Sequence, residues 1–335
     1  MAWKVEPLQA GGTLNSFFAS IIRATWGVAR IDMLVSHPDA EHTMKTVLRT
    51  LWHDKAPSGA LDDRKKIRFL PLETDSQWVR DFGPQTIFVD DKKRVFIDPL
   101  YSPDRPNDDK LPGALAMFYR LESLAAPFHL DGGNLLSNGR GDCFTSVVDG
   151  AQQLLREDRQ YRAEQFRDYF GCRRTYFIHP LSGEWTGHVD VLMTVVGPRD
   201  LLIAEYAKGD DAFNSGILER NVRFLRRQLD RHGKPRFRIH RLRIPSNRGG
   251  FWLTYLNLQI VRSAADPTIG VILVPVYARF PKLNRDALRT IQTLFHQVHP
   301  TVKWRVEPID SDLVIQSSGA IHCVLQRIPT LKAKP

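Results

Sequence analysis

A succession of short apolar strand, β-hairpin and helix returns five times along this chain, with no Pro/Gly/Ser linker or low-complexity tract between its copies. RIDMLVSH (30–37) reads as a strand and DAEHTMKTVLRTLW (39–52) as a helix, because Met44, Val47, Leu48 and Leu51 share one face at helical spacing. KIRFLPLE (66–73) is a second strand, and TIFVDDKKRVFIDP (86–99) is a hairpin around a DDKK turn. PFHLDGGNLL (127–136) and DCFTSVV (142–148) flank the turn sequence SNGRG. The fourth copy runs from RTYFIHP through GHVDVLMTVVG and DLLIAEY to a basic helix. The fifth begins at FRIHRLRIP and passes through TYLNLQIVRS and VILVPVY to a helix at 281–298, and WRVEP and AIHCVLQ close the chain. No such unit can bury its own apolar face, so the copies are expected to pack around a common centre. We therefore expect one α/β domain over 1–335, with residues 1–29 as an N-terminal extension. Length alone would also allow two domains.

Composition narrows the class further. The 42% hydrophobic and 25% charged fractions are those of an ordinary globular chain able to bury a sizeable core. No apolar run approaches the ~18 residues of a membrane span, and the N-terminus lacks the order of a signal peptide, so a cytoplasmic protein is expected. Cys143, Cys172 and Cys323 are too few and too scattered for a disulfide framework. In an intracellular chain they are expected as thiols, one of them chemically active and the others apolar filler. The net charge of +10 raises nucleic-acid binding, which we do not expect, because the basic residues are dispersed. Their densest cluster lies at 220–243 and overlaps a helix expected at 212–232, where Ile217, Leu218, Val222, Leu225 and Leu229 keep helical spacing and Arg220, Arg223, Arg227 and Arg231 fall mostly elsewhere. That is a solvated face or a surface for an acidic partner.

Four stretches put reactive or polar residues beside glycines at strand ends: WVRDFGP (78–84), DGGN (131–134), GHVD (187–190) and SSGAIHC (317–323). His188 and Asp190, two apart in an apolar run, would share one face of a strand. They form either a core hydrogen-bonded pair or a catalytic pair. A zinc site would need further ligands at suitable spacing, which the sequence does not offer. Cys323 is either packing or a nucleophile; as a nucleophile it needs a base from afar, and His188 suits better than His322, expected on the opposite face of its strand. Asp81 is either the partner of Arg80 in a surface turn or a carboxylate aimed inward, and Asp131 either caps a turn or faces the same place. Taken together, carboxylates, one histidine and one cysteine do not suit an oxyanion. They suit a flat cation such as a guanidinium, whose donors match carboxylates. Without that cation the acids would repel one another.

WVRDFGP, DGGN, GHVD and SGAIHC, in this order, resemble the agmatine deiminase and bacterial-type peptidylarginine deiminase family of guanidino-group-modifying enzymes, over about residues 30–328. The resemblance implies a five-bladed α/β propeller of ββαβ repeats, the pentein fold, around a central active site. It implies Cys323 as nucleophile, His188 as general acid/base, Asp190 and Asp81 as guanidinium ligands and Asp131, in a position often Glu, orienting the histidine. Trp78, Tyr255 and Asn257 match positions near the pocket. The chain departs from the pattern in lacking a Trp/Pro-rich signature in residues 1–30, and in the bulky Phe251 and Trp252 of NRGGFWLTYLN. Arg248 or Arg140 is either a contact for a substrate carboxylate or a surface residue. The implied activity is cofactor-free, metal-free hydrolysis of agmatine, arginine or peptidyl arginine to a ureido product and ammonia, through a covalent thiouronium. The rivals are an amidinotransferase using the same intermediate and a silent propeller binding an acidic partner. A homo-oligomer stays open.

Overall fold

A computed structural model describes residues 1–3, 14–36, 39–52, 65–90, 92–149, 152–247 and 250–330. Among the described residues the strands form five three-stranded sheets and one two-stranded hairpin, and in four of the five the chain follows one scheme. The second sheet shows it: β4 (Gln85–Val89) pairs antiparallel with β5 (Lys93–Leu100), α4 (Pro106–Tyr119) crosses over, and β6 (Glu122–His129) pairs parallel with β5. A hairpin suffices for the antiparallel step, whereas the parallel step needs a crossover helix. The third sheet repeats this with β7 (Leu136–Ser137), β8 (Asp142–Ser146), α5 (Arg156–Phe170) and β11 (Arg174–Ile178). A small hairpin, β9 (Val148–Asp149) with β10 (Gln152–Gln153), is inserted before α5. The fourth uses β12 (Met193–Val195), β13 (Asp200–Glu205), α6 (Ala212–Arg226) and β14 (Arg238–Arg243), and the fifth β15 (Gln259–Arg262), β16 (Ile269–Val276), α7 (Pro281–Val298) and β17 (Lys303–Asp310).

The first sheet departs from this scheme. Here β1 (Ala2–Trp3), β2 (Ile31–Val35) and β3 (Ile67–Leu70) are all parallel, with α1 (Asn15–Thr25) and α2 (Asp39–Trp52) as crossovers. A helix stands where the other units have a hairpin. It buries Phe17, Phe18, Ile21 and Ile22, so part of the N-terminal stretch set outside the repeats belongs to the core.

The apolar clusters close a ring. One joins sheets one and two through Leu34, Leu70 and Phe96, and another joins two and three through Ile97, Phe128 and Phe166. A third spans sheets three to five, and a fourth joins five back to one through Leu273, Ile309 and Met33. Each unit therefore hides its apolar face against a neighbour. Burying a side chain such as Ile291 or Phe295 of α7 contributes about 1.5–3 kcal/mol.

Three expectations are corrected. The helix expected over 212–232 ends at Arg226, because the Asp230 carboxylate takes the amides of His232 and Lys234 and holds a turn in its place. Residues 189–191 form a 3₁₀ turn, not a strand, and Ile321–Val324 are turn residues. Cys143 and Cys172 are joined in a disulfide rather than kept as thiols. Cys143 lies on β8, and Cys172 leads into β11, the strand paired with β8, so tertiary pairing brings together two cysteines that their spacing did not link. No described helix is long and apolar enough to cross a membrane.

The disulfide predicts that the denatured, unreduced protein shows one titratable thiol and the reduced protein three. The double variant C143S/C172S should lose about 2–4 kcal/mol of stability in chemical denaturation.

Candidate active site

The connections between blades carry the polar residues. Trp78 precedes α3 (Val79–Phe82), a single helical turn on which successive residues point about 100° apart. Asp81 thus faces a cavity while Arg80 passes to the other side. The cavity, of about 500 Å³, is lined by Trp78, Asp81, Asp131, His188, Asn257 and Cys323 among others. Trp185 and Trp252 also line it, the latter donating from Nε1 to the Gly183 carbonyl at 3.2 Å.

Glu184 holds the turn that presents the histidine. Its carboxylate accepts from the Thr186 hydroxyl and from the amides of Thr186 and Gly187, at 2.8 to 3.1 Å. Gly187 has φ +68°, and a Cβ there would meet Val148 Cγ2 at 2.4 Å, so only glycine fits. His188 then lies with Nε2 3.1 Å from Asp131 Oδ2 and Nδ1 3.7 Å from Asp81 Oδ1. The shorter side chain at 131 reaches the imidazole.

Gly133 marks the point of convergence. Its N–H donates to Asp81 Oδ1 at 3.1 Å. A Cβ on it would stand 2.8 Å from Asp81 Oδ1, 2.8 Å from His188 Nδ1 and 3.2 Å from Asp190 Oδ2. Residues from DGGN, WVRDFGP and GHVD thus meet around one backbone atom.

The sulfur sits beside them. Cys323 is 6% exposed, with Sγ 3.9 Å from Asp190 Oδ2. Asn257 organises this corner: Nδ2 donates to Asp190 Oδ2 at 3.0 Å and to Sγ at 3.2 Å, while Oδ1 accepts the His322 amide at 2.9 Å. His322 Nδ1 lies 2.7 Å from Asp190 Oδ2. His322 and Cys323 face opposite sides of the chain here, as expected, although they do so from a turn and not a strand, and the His322 ring still reaches Asp190 from behind.

The charges are unbalanced. Burial pushes the Cys323 thiol well above its usual range, and Asp190 and Asp81 push it further. Burial likewise raises the Asp81 carboxyl, reinforced by Asp131 and Asp190. Burial alone would lower His188, but Asp81, Asp131 and Asp190 outweigh it and keep the imidazole protonated at neutral pH. Burial and the nearby Arg80 lower His322 to about 4, so it is neutral and donates Nδ1–H to Asp190.

A family model described as Porphyromonas-type peptidyl-arginine deiminase matches residues 1–329. The chain belongs to this family. It is 24% identical to the agmatine deiminase of Pseudomonas aeruginosa (strain LESB58), covering 98% of this chain and 92% of that protein. Its structure is similar to that of the Enterococcus faecalis agmatine deiminase, with a TM-score of 0.76 at 18% identity over 97% of this chain and 90% of that one. A cysteine-to-serine variant of the C. jejuni agmatine deiminase with substrate bound is also similar, with a TM-score of 0.70 at 16% identity over 92% and 85% of the two chains. These likenesses agree with the pentein fold implied by the motifs.

Of the residues singled out in the sequence, Trp78, Asp81, Asp131, His188, Asn257 and Cys323 line the cavity, and Asp190 lies against Cys323. Tyr255, expected near the pocket, does not: it is fully buried and its hydroxyl donates to Asn284 Oδ1 at 2.8 Å, because the side chains of Tyr255 and Asn257 leave the chain in different directions. Arg140 is exposed in the β7–β8 turn, away from the cavity. Arg248 lies outside the described residues. Glu184 and Gln259 went unnoticed because they stand outside the four motifs. Arg80 was visible within WVRDFGP, but considered only as one possible surface partner of Asp81.

If the buried acids hold the thiol protonated, a bound guanidinium should reverse part of that effect. Titrating the Cys323 thiolate by its ultraviolet absorbance should give a midpoint above that of a free cysteine, falling when an unreactive guanidinium analogue is bound. An unchanged midpoint would refute this.

Proposed function

We propose that this chain is a cysteine-dependent hydrolase that deiminates a guanidino compound, releasing ammonia and a ureido product. One observation carries the reading: Asp81, Asp190, His188 and Cys323 meet at a single buried point with more acid than base. A planar cation completes such a site, since its N–H groups match two carboxylates and its carbon is left facing the sulfur.

In this reading Asp81 and Asp190 hold the guanidinium nitrogens. With the cation bound, Cys323 loses its proton to solvent and adds as a thiolate to the central carbon, and the C–N bond breaks as His188 gives its proton to the departing ammonia. The thiouronium so formed is attacked by water, one of whose protons returns to His188; the hydroxyl of the adduct then gives its remaining proton to the departing sulfur as the C–S bond breaks, which releases the ureido product and restores the thiol. Acid–base help of this kind contributes about 10²–10⁴-fold. Asp131 orients His188, and Asn257 holds both Sγ and Asp190 in place. Trp78 forms part of the wall.

The mouth argues for the other end of the substrate. Asp104 and Asp131 line it, and the one described arginine or lysine on the wall, Arg105, donates to the Tyr101 hydroxyl at 3.0 Å. A cationic tail, as in agmatine, suits this wall better than the carboxylate of free arginine. For location, the sequence implies the cytoplasm, where thiols stay reduced, while the Cys143–Cys172 bond favours oxidising surroundings.

An ammonia-release assay over agmatine, arginine and blocked arginine peptides should show turnover, with agmatine preferred over arginine. C323S should give no ammonia above background. D190N should lose roughly 10²-fold in kcat through misplacement of the carbon. A new guanidino compound formed from an added amine, without ammonia, would show a transferase instead.

Gly133→Ala tests the convergence separately. The added methyl should displace Asp81 and His188 and cost about 10²-fold in turnover while circular dichroism shows the fold retained. Full activity in this variant would contradict the geometry.

A further inference from the structure

A second cavity, of about 260 Å³, backs onto the first across one layer of chain. Three segments each send residues to both sides: Asp81 lines the first and Arg80 the second, Cys323 the first and His322 the second, Asn257 the first and Gln259 the second. The chemistry reverses between them. Four carboxylates line the first, whereas the described wall of the second carries Arg80, Arg327 and His322 and no Asp or Glu.

Arg80 is 8% exposed, yet no described carboxylate pairs with it. Its Nε donates to the His322 carbonyl at 3.4 Å and its Nη2 to Gln259 Oε1 at 3.2 Å. Nη1 has no partner among the described residues. Burial and the charge of Arg327 lower Arg80 to about 10, which still leaves it protonated at neutral pH. Thr86, on the same wall, has a buried hydroxyl that also lacks a partner. Asp190 and Asp81 act on Arg80 only through space, from the other side of the layer; its own hydrogen bonds go to neutral oxygens, and beside a second arginine and an idle hydroxyl it has no directly bonded anion among the described residues.

We propose that this reverse-face cavity is a binding site for one small oxyanion, held by Arg80 and Arg327 with the Thr86 hydroxyl as a further donor. Its size suits a phosphate or a short carboxylate, and both present oxygens that an arginine can take in pairs. Occupancy has a consequence for the neighbouring site. An anion there offsets the positive charges of Arg80 and Arg327, which act on His322 together with burial, while Asp190 acts from the other side. The imidazole that donates to Asp190 should then titrate at higher pH.

The test uses the intact protein without substrate. Calorimetric titrations with sodium phosphate and with sodium acetate, at constant ionic strength and pH, should give saturable one-to-one binding for at least one of them; which one decides between the tetrahedral and the carboxylate form. R327Q, at the exposed rim, should weaken that binding at least fivefold, and R80M should abolish it. Should R80M fail to fold, R327Q and T86V decide. In the wild-type protein the His322 resonances, assigned with H322Q, should show a titration midpoint displaced upward by the bound anion. Absence of saturable binding by either anion, binding undiminished in R327Q and T86V, or a His322 midpoint that does not move would each overturn the proposal.

Discussion

A surplus of buried negative charge around one sulfur is the constraint on which the rest of the structure turns. Asp81 and Asp190 are held close to Cys323 and His188, largely buried, where water screens charges less than at the surface. His188 compensates part of that charge by staying protonated, and Arg80 acts from behind the layer. What remains is a site that opposes its own thiolate until a cation arrives. On the proposed function, the free protein is thereby guarded against stray chemistry at Cys323, and the substrate supplies the charge that the site lacks.

A ring of five sheets suits such a site because it brings the ends of many connections to one axis. The four motifs lie more than two hundred residues apart from first to last, yet each sits between blades, where the chain turns inward. Rigidity comes from the clusters that join neighbouring sheets, not from the motifs themselves. The motifs hold their own turns locally, as Glu184 does for His188 and Asn257 does for Cys323. The same thin layer of chain then serves two opposite environments, acidic in front and basic behind.

Periodicity made most elements readable. The helix expected at 281–298 and the hairpin at 86–99 match α7 and the β4–β5 pair because each must hide one apolar face within its own length. Reading failed where local patterns were weak or shared. GHVDVLMTVV alternates like a strand, but its first residues are fixed by Glu184 into a turn. The first sheet has a helix in place of a hairpin, in a stretch that carries no repeat signal. For the site, residue types and spacing singled out side chains that the fold gathers at one cavity, while Tyr255 was drawn in by its nearness to Asn257 in the chain.

From the residues alone come the five-fold repetition, the chemical kinds gathered in four motifs, and hence a flat cation as the group they suit. These follow from local order and from the chemistry each side chain carries wherever it sits. Only the folded chain decided that Arg80 turns its back on Asp81, that His322 and Cys323 share Asp190 across a layer, and that Cys143 meets Cys172. Such outcomes depend on how far each turn rotates and on which distant strands lie side by side. Packing between segments sets both, and no single segment contains that information.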